Sequence, residues 1–312
     1  MEQREPVIGA VGLGGESVFL SVDHFHAPGE TLRAEGFFLE PGGKAYNQAV
    51  AAARLGARVC FFGAVGRDSG GSLCREVLVR EGIRPVLEET PDANTAYACI
   101  LTDRRGENQV TVSRGAAERL SGEFLRSREE ELARCSHLLL GLECPLEATL
   151  TALELAKKHG IFTILNPAPA LALEGELLRS FDLITPNQQE AAVLLGLDHT
   201  PEPGELARLL REAGLTRTVV TLGSRGALAV TEEGGLLFPA LPVKAVDTTG
   251  AGDTFNAALA VALSRGRTLP EAVEFATNAS AWSVSRSHVL ASLPTARELE
   301  ASFRPVSPVR VE

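Results

Sequence analysis

The chain has 312 residues, 45% of them hydrophobic, with 30 Lys and Arg against 40 Asp and Glu for a formal net charge of −10. That length suits one large globular unit with a sizeable core, and the acidic balance argues against a nucleic-acid surface, which needs a basic face. No apolar run reaches the ~20 residues that cross a bilayer, and the polar opening Met1-Glu-Gln-Arg-Glu-Pro6 lacks a secretory segment, so no membrane contact and a cytoplasmic location are expected.

In chain order, residues 7–13 read as a buried first strand. From 18 to 39 the pattern is short, β-like and broken by Pro28-Gly29. A helix is expected from about 44 to 55, Ala-rich and closed by Gly56. Residues 58–65 are strand-like, and 71–81 are helical with Gly82 as the stop. Residues 95–102 and 108–113 suggest two strands joined by Asp103-Arg-Arg-Gly106, a hairpin signal. The rhythm then changes to strand 136–140, helix 146–159, strand 161–165, a helix from about 176, strand 182–185 and helix 188–195. Such alternation means βαβ units and a parallel sheet flanked by helices. Antiparallel strands at 218–222, 227–231 and 235–238 follow, and helices at about 254–265 and 269–285 close the core. The expectation is an α/β layer sandwich forming one domain over 1–312. Its early β-rich pieces, about 16–40 and 94–114, fall outside the alternation and could pair into a small sheet over one edge. As a lid, that sheet would exclude water from a site beneath it; the alternative is extra core strands.

The most informative stretch is Ala245-Val-Asp-Thr-Thr-Gly-Ala-Gly-Asp-Thr-Phe-Asn256. It reads as a strand end, three small residues, one carboxylate and a helix. Backbone N–H groups at such a turn form an anion site, and Asp253 lies beside it. An anion cradle next to an acid is what phosphoryl transfer to a hydroxyl requires. The structural alternative is a tight packing turn with Asp253 as an N-cap.

Five further turns carry polar residues. Pro41-Gly-Gly-Lys-Ala-Tyr-Asn-Gln48 opens a helix with paired glycines, where Gly42 and Gly43 admit a small polyhydroxyl ligand to the backbone and Lys44 and Asn47 offer donors. It is not a P-loop, because Ala45 follows the lysine. Gly12-Leu-Gly-Gly-Glu-Ser17 lacks the third glycine of a dinucleotide fingerprint. Glu143 follows a buried strand, where ligands collect in open α/β sheets, although a solvated loop acid reads the same way. Asn187 and Glu190 lie three apart at a helix start, placed either for a phosphate oxygen and hydrated Mg²⁺ or as a capping box. Thr221-Leu-Gly-Ser-Arg-Gly226 is another strand-end turn that could border a nucleotide.

Together with Asn166-Pro-Ala-Pro-Ala170, these motifs in this order resemble the ribokinase-like (PfkB) family of carbohydrate kinases, and its ribokinase branch most, over about residues 7–302. The resemblance implies a three-layer α/β/α sandwich with a mostly parallel sheet and a β lid. It implies ATP as donor, Mg²⁺ and a primary hydroxyl of a sugar as acceptor. A lid sheet with an exposed edge is an association hazard that pairing of lids would cover, so a homodimer through the lid is expected. Asp253 matches the family's base, with Gly250, Ala251 and Gly252 as its anion hole. Gly42, Gly43, Lys44, Asn47 and Glu143 match sugar contacts. Asn187, Glu190, Thr221, Gly223 and Gly226 match nucleotide and Mg²⁺ motifs, Glu190 acting on Mg²⁺ through water. Asp247 and Thr249 match a monovalent-cation loop that would take K⁺, completed by backbone near Ser283, Arg286 and Ser292.

Departures mark the acceptor end. Where the ribokinase branch has an Asn and then an Asp, this chain has Gly15 and Ser17, so a carboxylate is replaced by a single hydroxyl. Glu16 should point to the opposite face of an extended segment. Arg114 precedes Gly115-Ala-Ala117 and, if turned inward, would favour an acidic or phosphorylated acceptor. His288-Val289 stands where the branch has Gly-Ala. A nucleoside kinase of the same fold, a phosphosugar kinase and a non-catalytic sugar sensor remain the competing readings.

Overall fold

The computed structural model describes residues 6–311; the polar reading of residues 1–5 lies outside them. Fourteen strands form two sheets among the described residues. They are β1 (Val7–Val11), β2 (Gly15–Ser21), β3 (Gly36–Gly42), β4 (Arg58–Gly66), β5 (Arg84–Thr90), β6 (Ala96–Thr102), β7 (Asn108–Ser113), β8 (His137–Leu140), β9 (Phe162–Leu165), β10 (Leu183–Ile184), β11 (Thr218–Thr221), β12 (Ala227–Thr231), β13 (Gly234–Phe238) and β14 (Val309–Val311). The ten-stranded sheet runs β14-β13-β12-β11-β10-β9-β8-β1-β4-β5. Its pairings are parallel from β11 through β5 and antiparallel from β11 to β14.

The central strands are short apolar runs buried on both faces, as a parallel sheet requires. One face packs the helices Lys44–Arg54, Ala251–Ser264 and Leu269–Ser283 around Tyr46, Phe61, Leu259 and Val273. The other packs Leu146–His159 and Pro203–Glu212 around Leu138, Leu153, Leu206 and Val220. Helix, sheet and helix make the three layers. Alanines 257, 258, 260 and 262 are fully or almost fully buried, and such small side chains let helix Ala251–Ser264 lie close to its neighbours.

Strand β5 and helix Pro203–Glu212 have no counterpart in the expected elements. Strand β5 carries Pro85, which argues against a central strand; the structure makes β5 the outermost strand, where a missing ladder N–H is tolerated. The helix starts at a Pro, the position where that residue is pre-organised for helix.

The early β-rich pieces form a separate four-stranded sheet, β3-β2-β6-β7, and add nothing to the core sheet. No helix among the described residues is long and apolar enough to cross a membrane.

Candidate active site

Five chain segments meet where the parallel strands end at their carboxyl termini, the usual ligand edge of an open α/β sheet. Strand β1 leads into Leu13 and Gly15, β8 into Glu143, β9 into Asn166, β10 into Asn187, and β11 into Gly223. The Gly42–Gly43 turn with its helix and the helix starting at Ala251 approach this edge from the same layer.

Asp253 sits in the first turn of helix Ala251–Ser264 and is only 7% exposed. The N-cap is Gly250, in the left-handed region at φ 77°, with no side-chain cap. Asp253 is therefore not spent on capping. Asn47 Nδ2 donates to its Oδ2 at 2.9 Å, and Gln48 Nε2 donates to its Oδ1 at 3.3 Å. Gln48 also reaches Asn166 Oδ1 at 3.3 Å, while Asn166 Nδ2 donates to the Thr185 carbonyl at 2.9 Å. Burial raises the Asp253 carboxyl above its ordinary value, against the opposing Lys44 charge and the two amides. The N–H groups of Gly252 and Asp253 find no backbone acceptor, the normal state of a helix start. A Cβ on Gly252 would meet nothing within 4 Å, and Ala251 and Gly252 border an open hollow.

One expectation needs correction. Ala245 and Val246 do not end a strand. The Val246 and Asp247 N–H groups both donate to the Val284 carbonyl, so the segment pairs with the end of helix Leu269–Ser283 rather than with a sheet.

A cavity of about 200 Å³ opens in front of Asp253, bordered by residues 15–17, Gly42, Gly43, Lys44, Asn47, Glu143, Thr249 and Gly250. The rest of its wall is Leu13, Ala96, Tyr97, Ala98 and Val112. Glu16 is among the bordering residues because the start of β2 runs along the cavity. The Ser17 hydroxyl faces Gly42 across the β2–β3 pair. Asn47, expected to offer its donor to a ligand, gives it to Asp253 instead. Its Oδ1 is buried with no partner among the described residues and is left to accept a bond.

Glu143 Oε2 accepts the Lys44 backbone N–H at 2.7 Å, which joins the two sides of the cavity. Burial pushes its carboxyl up to about 7. Burial also works against the Lys44 ammonium, but Asp253, Glu143 and Glu190 outweigh it and hold its pKa above the ordinary value. Arg114 is exposed, and its charge reaches Glu143 and Cys144 from the outside.

A second hollow, about 620 Å³, lies on the other side of the Gly250–Gly252 turn. Thr221, Gly223 and Gly226 border it, as do Ala251 and Gly252. Its apolar wall of Leu241, Val243, Phe255, Ala281 and Val284 has no forerunner in the sequence reading, because loop 239–246 carries no periodic signal. Asn187 and Glu190 stand further along the same edge as a complete capping box: Glu190 N donates to Asn187 Oδ1 at 2.8 Å and Asn187 N to Glu190 Oε2 at 2.7 Å. The structural alternative for this pair is thus realised, although Glu190 remains buried and close enough to Lys44 to raise its pKa.

Asp247 Oδ1 accepts the Thr249 N–H at 2.9 Å. The bonds to Val284 bring this loop beside Ser283 and Arg286, and Ser292 binds the Val289 carbonyl nearby. Gln48 and Asn166 are the polar residues that the sequence reading does not single out. Both lie inside motifs it uses, one residue beyond Asn47 and directly after β9.

The family profile for pfkB family carbohydrate kinases matches residues 15–296. The chain belongs to that family. Among pfkB-related proteins, a ribokinase from Haemophilus influenzae is 37% identical over 282 residues, 89% of this chain and 92% of its own length. A deoxyribokinase from Salmonella typhi is 35% identical over 271 residues, covering 86% and 89%. The structure of a ribokinase from Thermotoga maritima superposes with a TM-score of 0.85 at 36% identity, covering 95% of this chain and 98% of that one. A ribokinase from Arabidopsis thaliana, complexed with ribose and ATP, gives 0.85 at 26% identity, covering 97% and 99%. The protein is a ribokinase-like carbohydrate kinase, an enzyme that phosphorylates a sugar with ATP.

Proposed function

We propose that the enzyme transfers the terminal phosphoryl of ATP to a primary hydroxyl of a sugar, with Asp253 as the general base. The observation that carries this reading is the buried Asp253 carboxylate, fixed on both oxygens by amides, on the first turn of a helix whose start borders an open hollow. The acceptor belongs in the 200 Å³ cavity, touching Gly42, Gly43, Lys44, Asn47, Glu143 and Ser17. The nucleotide belongs in the 620 Å³ hollow, against Thr221, Gly223 and Gly226. Between the two lies the Gly250–Gly252 turn, whose amides hold the charge that builds on the migrating group. Asp253 takes the hydroxyl proton late, which suits a loose transition state. Asn187 and Glu190 would serve Mg²⁺ through water, and the ion supplies charge neutralisation when bound. Asp247, Thr249, Ser283, Arg286 and Ser292 frame the expected K⁺ loop. The small sheet acts as a lid, and a homodimer would cover its exposed Phe37, Val110 and Val112.

An acceptor screen with Mg-ATP, with and without K⁺, tests this reading. ADP release with free sugars supports it. Activity on nucleosides alone would make the enzyme a nucleoside kinase, activity on sugar monophosphates alone a phosphosugar kinase, and sugar binding without ADP release a sensor.

Glu143 gives a pH test. Its raised pKa means the carboxyl holds a proton below about 7 and is ionised above it. Only the ionised form accepts a sugar hydroxyl proton with both oxygens. At pH 6 roughly one molecule in ten is competent, so the sugar KM should be about tenfold higher at pH 6 than at pH 8. Glu143→Gln should flatten that profile. A wild-type KM that does not change with pH would place Glu143 outside the acceptor contacts.

A further inference from the structure

Strand β3 sends one carboxylate away from the acceptor cavity. Glu40 is buried, and its Oε1 and Oε2 accept the backbone N–H groups of Val289 and Leu290 at 3.0 and 3.1 Å. These N–H groups open the short helix Val289–Ser292. Val289 in turn packs on the phosphoryl-anchoring turn: a Cβ on Gly250 would lie 2.6 Å from Val289 Cγ1. Two residues, Glu40 and Val289, therefore span from the small sheet to the start of helix Ala251–Ser264.

The residue before this contact is held just as firmly. His288 has φ 65°, a left-handed conformation uncommon for a residue with a side chain. Its ring stacks on Phe38 of β3 at 4.0 Å between centroids and meets Phe19 of β2 edge-on at 6.3 Å. The far end of the segment is tied by Arg54, whose Nη1 donates to the Leu290 and Leu293 carbonyls while the guanidinium pairs with Glu81. Arg54 belongs to the acceptor-turn helix, so segment 288–293 is clamped between the small sheet and that helix.

We propose that Glu40 is a positioning residue for phosphoryl transfer: through Val289 it sets the Gly250 turn according to where the small sheet stands. The proposal rests on the reading of that turn given above. It gives the small sheet a task beyond excluding water, since strand β3 both borders the acceptor cavity at Gly42 and holds the segment behind the anchoring amides.

The test is a double-mutant cycle of Glu40→Ala and Val289→Ala, read by kcat, by ADP affinity and by Tm. Each single change should lower kcat by about tenfold, the scale of a sub-ångström displacement in a site where 1 Å costs about 10²-fold. The double mutant should be no slower than the worse single one, because both break the same linkage. ADP affinity should stay within about twofold of wild type, and Glu40→Gln, which keeps one acceptor oxygen, should recover part of the rate. Independent, multiplying losses, an unchanged kcat in Glu40→Ala, or rate losses that only follow a fall in ADP affinity and Tm would each overturn the proposal. If Asp253→Asn also keeps normal turnover, the reading of the whole site fails; if Asp253 is essential and Glu40 is not, only this inference fails.

Discussion

Asp253→Asn should lower kcat by ~10²–10⁴-fold, the contribution of a positioned general base, with ADP binding close to wild type. The substitution keeps the shape of the side chain and removes its ability to take a proton. The fold should survive it. Burial already disfavours the charged carboxylate, so a neutral amide relieves that cost, while Asn47 and Gln48 lose one of their two acceptors. Steady-state kinetics beside a thermal melt separates the effects: a large rate loss with a preserved Tm identifies chemistry. Near-normal turnover would remove Asp253 from the role of base.

Gly43→Ala should cost roughly 10²-fold in kcat/KM for the sugar, the penalty of moving a substrate-positioning group by about an ångström. Gly43 has φ 113°, which side chains rarely adopt, and its new Cβ would collide with the Leu13 carbonyl oxygen and Cδ2. A backbone oxygen at the end of β1 cannot swing aside, so the turn itself must shift. The Lys44 N–H bonded to Glu143 and the Asn47 amide bonded to Asp253 shift with it. Nucleotide binding on the far side of the Gly250 turn should change little. A Gly43→Ala enzyme with an unaltered sugar KM and kcat would show that the acceptor turn lies elsewhere.

Much of this arrangement is legible in the amino-acid order because its parts are local. A strand followed by Gly-Gly-Lys, or small residues followed by Asp253, each announces a turn and a helix start within one short stretch of chain. The parallel core is legible from alternating apolar runs, and the hairpin from its Asp-Arg-Arg-Gly turn. Strand β5 is not, because Pro85 reads against a strand until its edge position is known. The apolar wall of the larger hollow is hidden because Leu241 and Val243 lie in irregular chain and meet Ala281 only through folding. The Asn187–Glu190 spacing fits a cap and an ion site equally, and the cap bonds are what the folded chain displays. Above all, the spacing does not reveal that Asn47 turns its amide to Asp253, 206 residues later.

That same long reach has a consequence for how the enzyme can be divided. On the proposed reading, Asn47 of the acceptor turn and the base Asp253 stand 206 residues apart, and each orients the other. If that reading holds, no fragment ending before residue 253 carries the base, and a nascent chain must grow past that residue before its acceptor turn can be oriented.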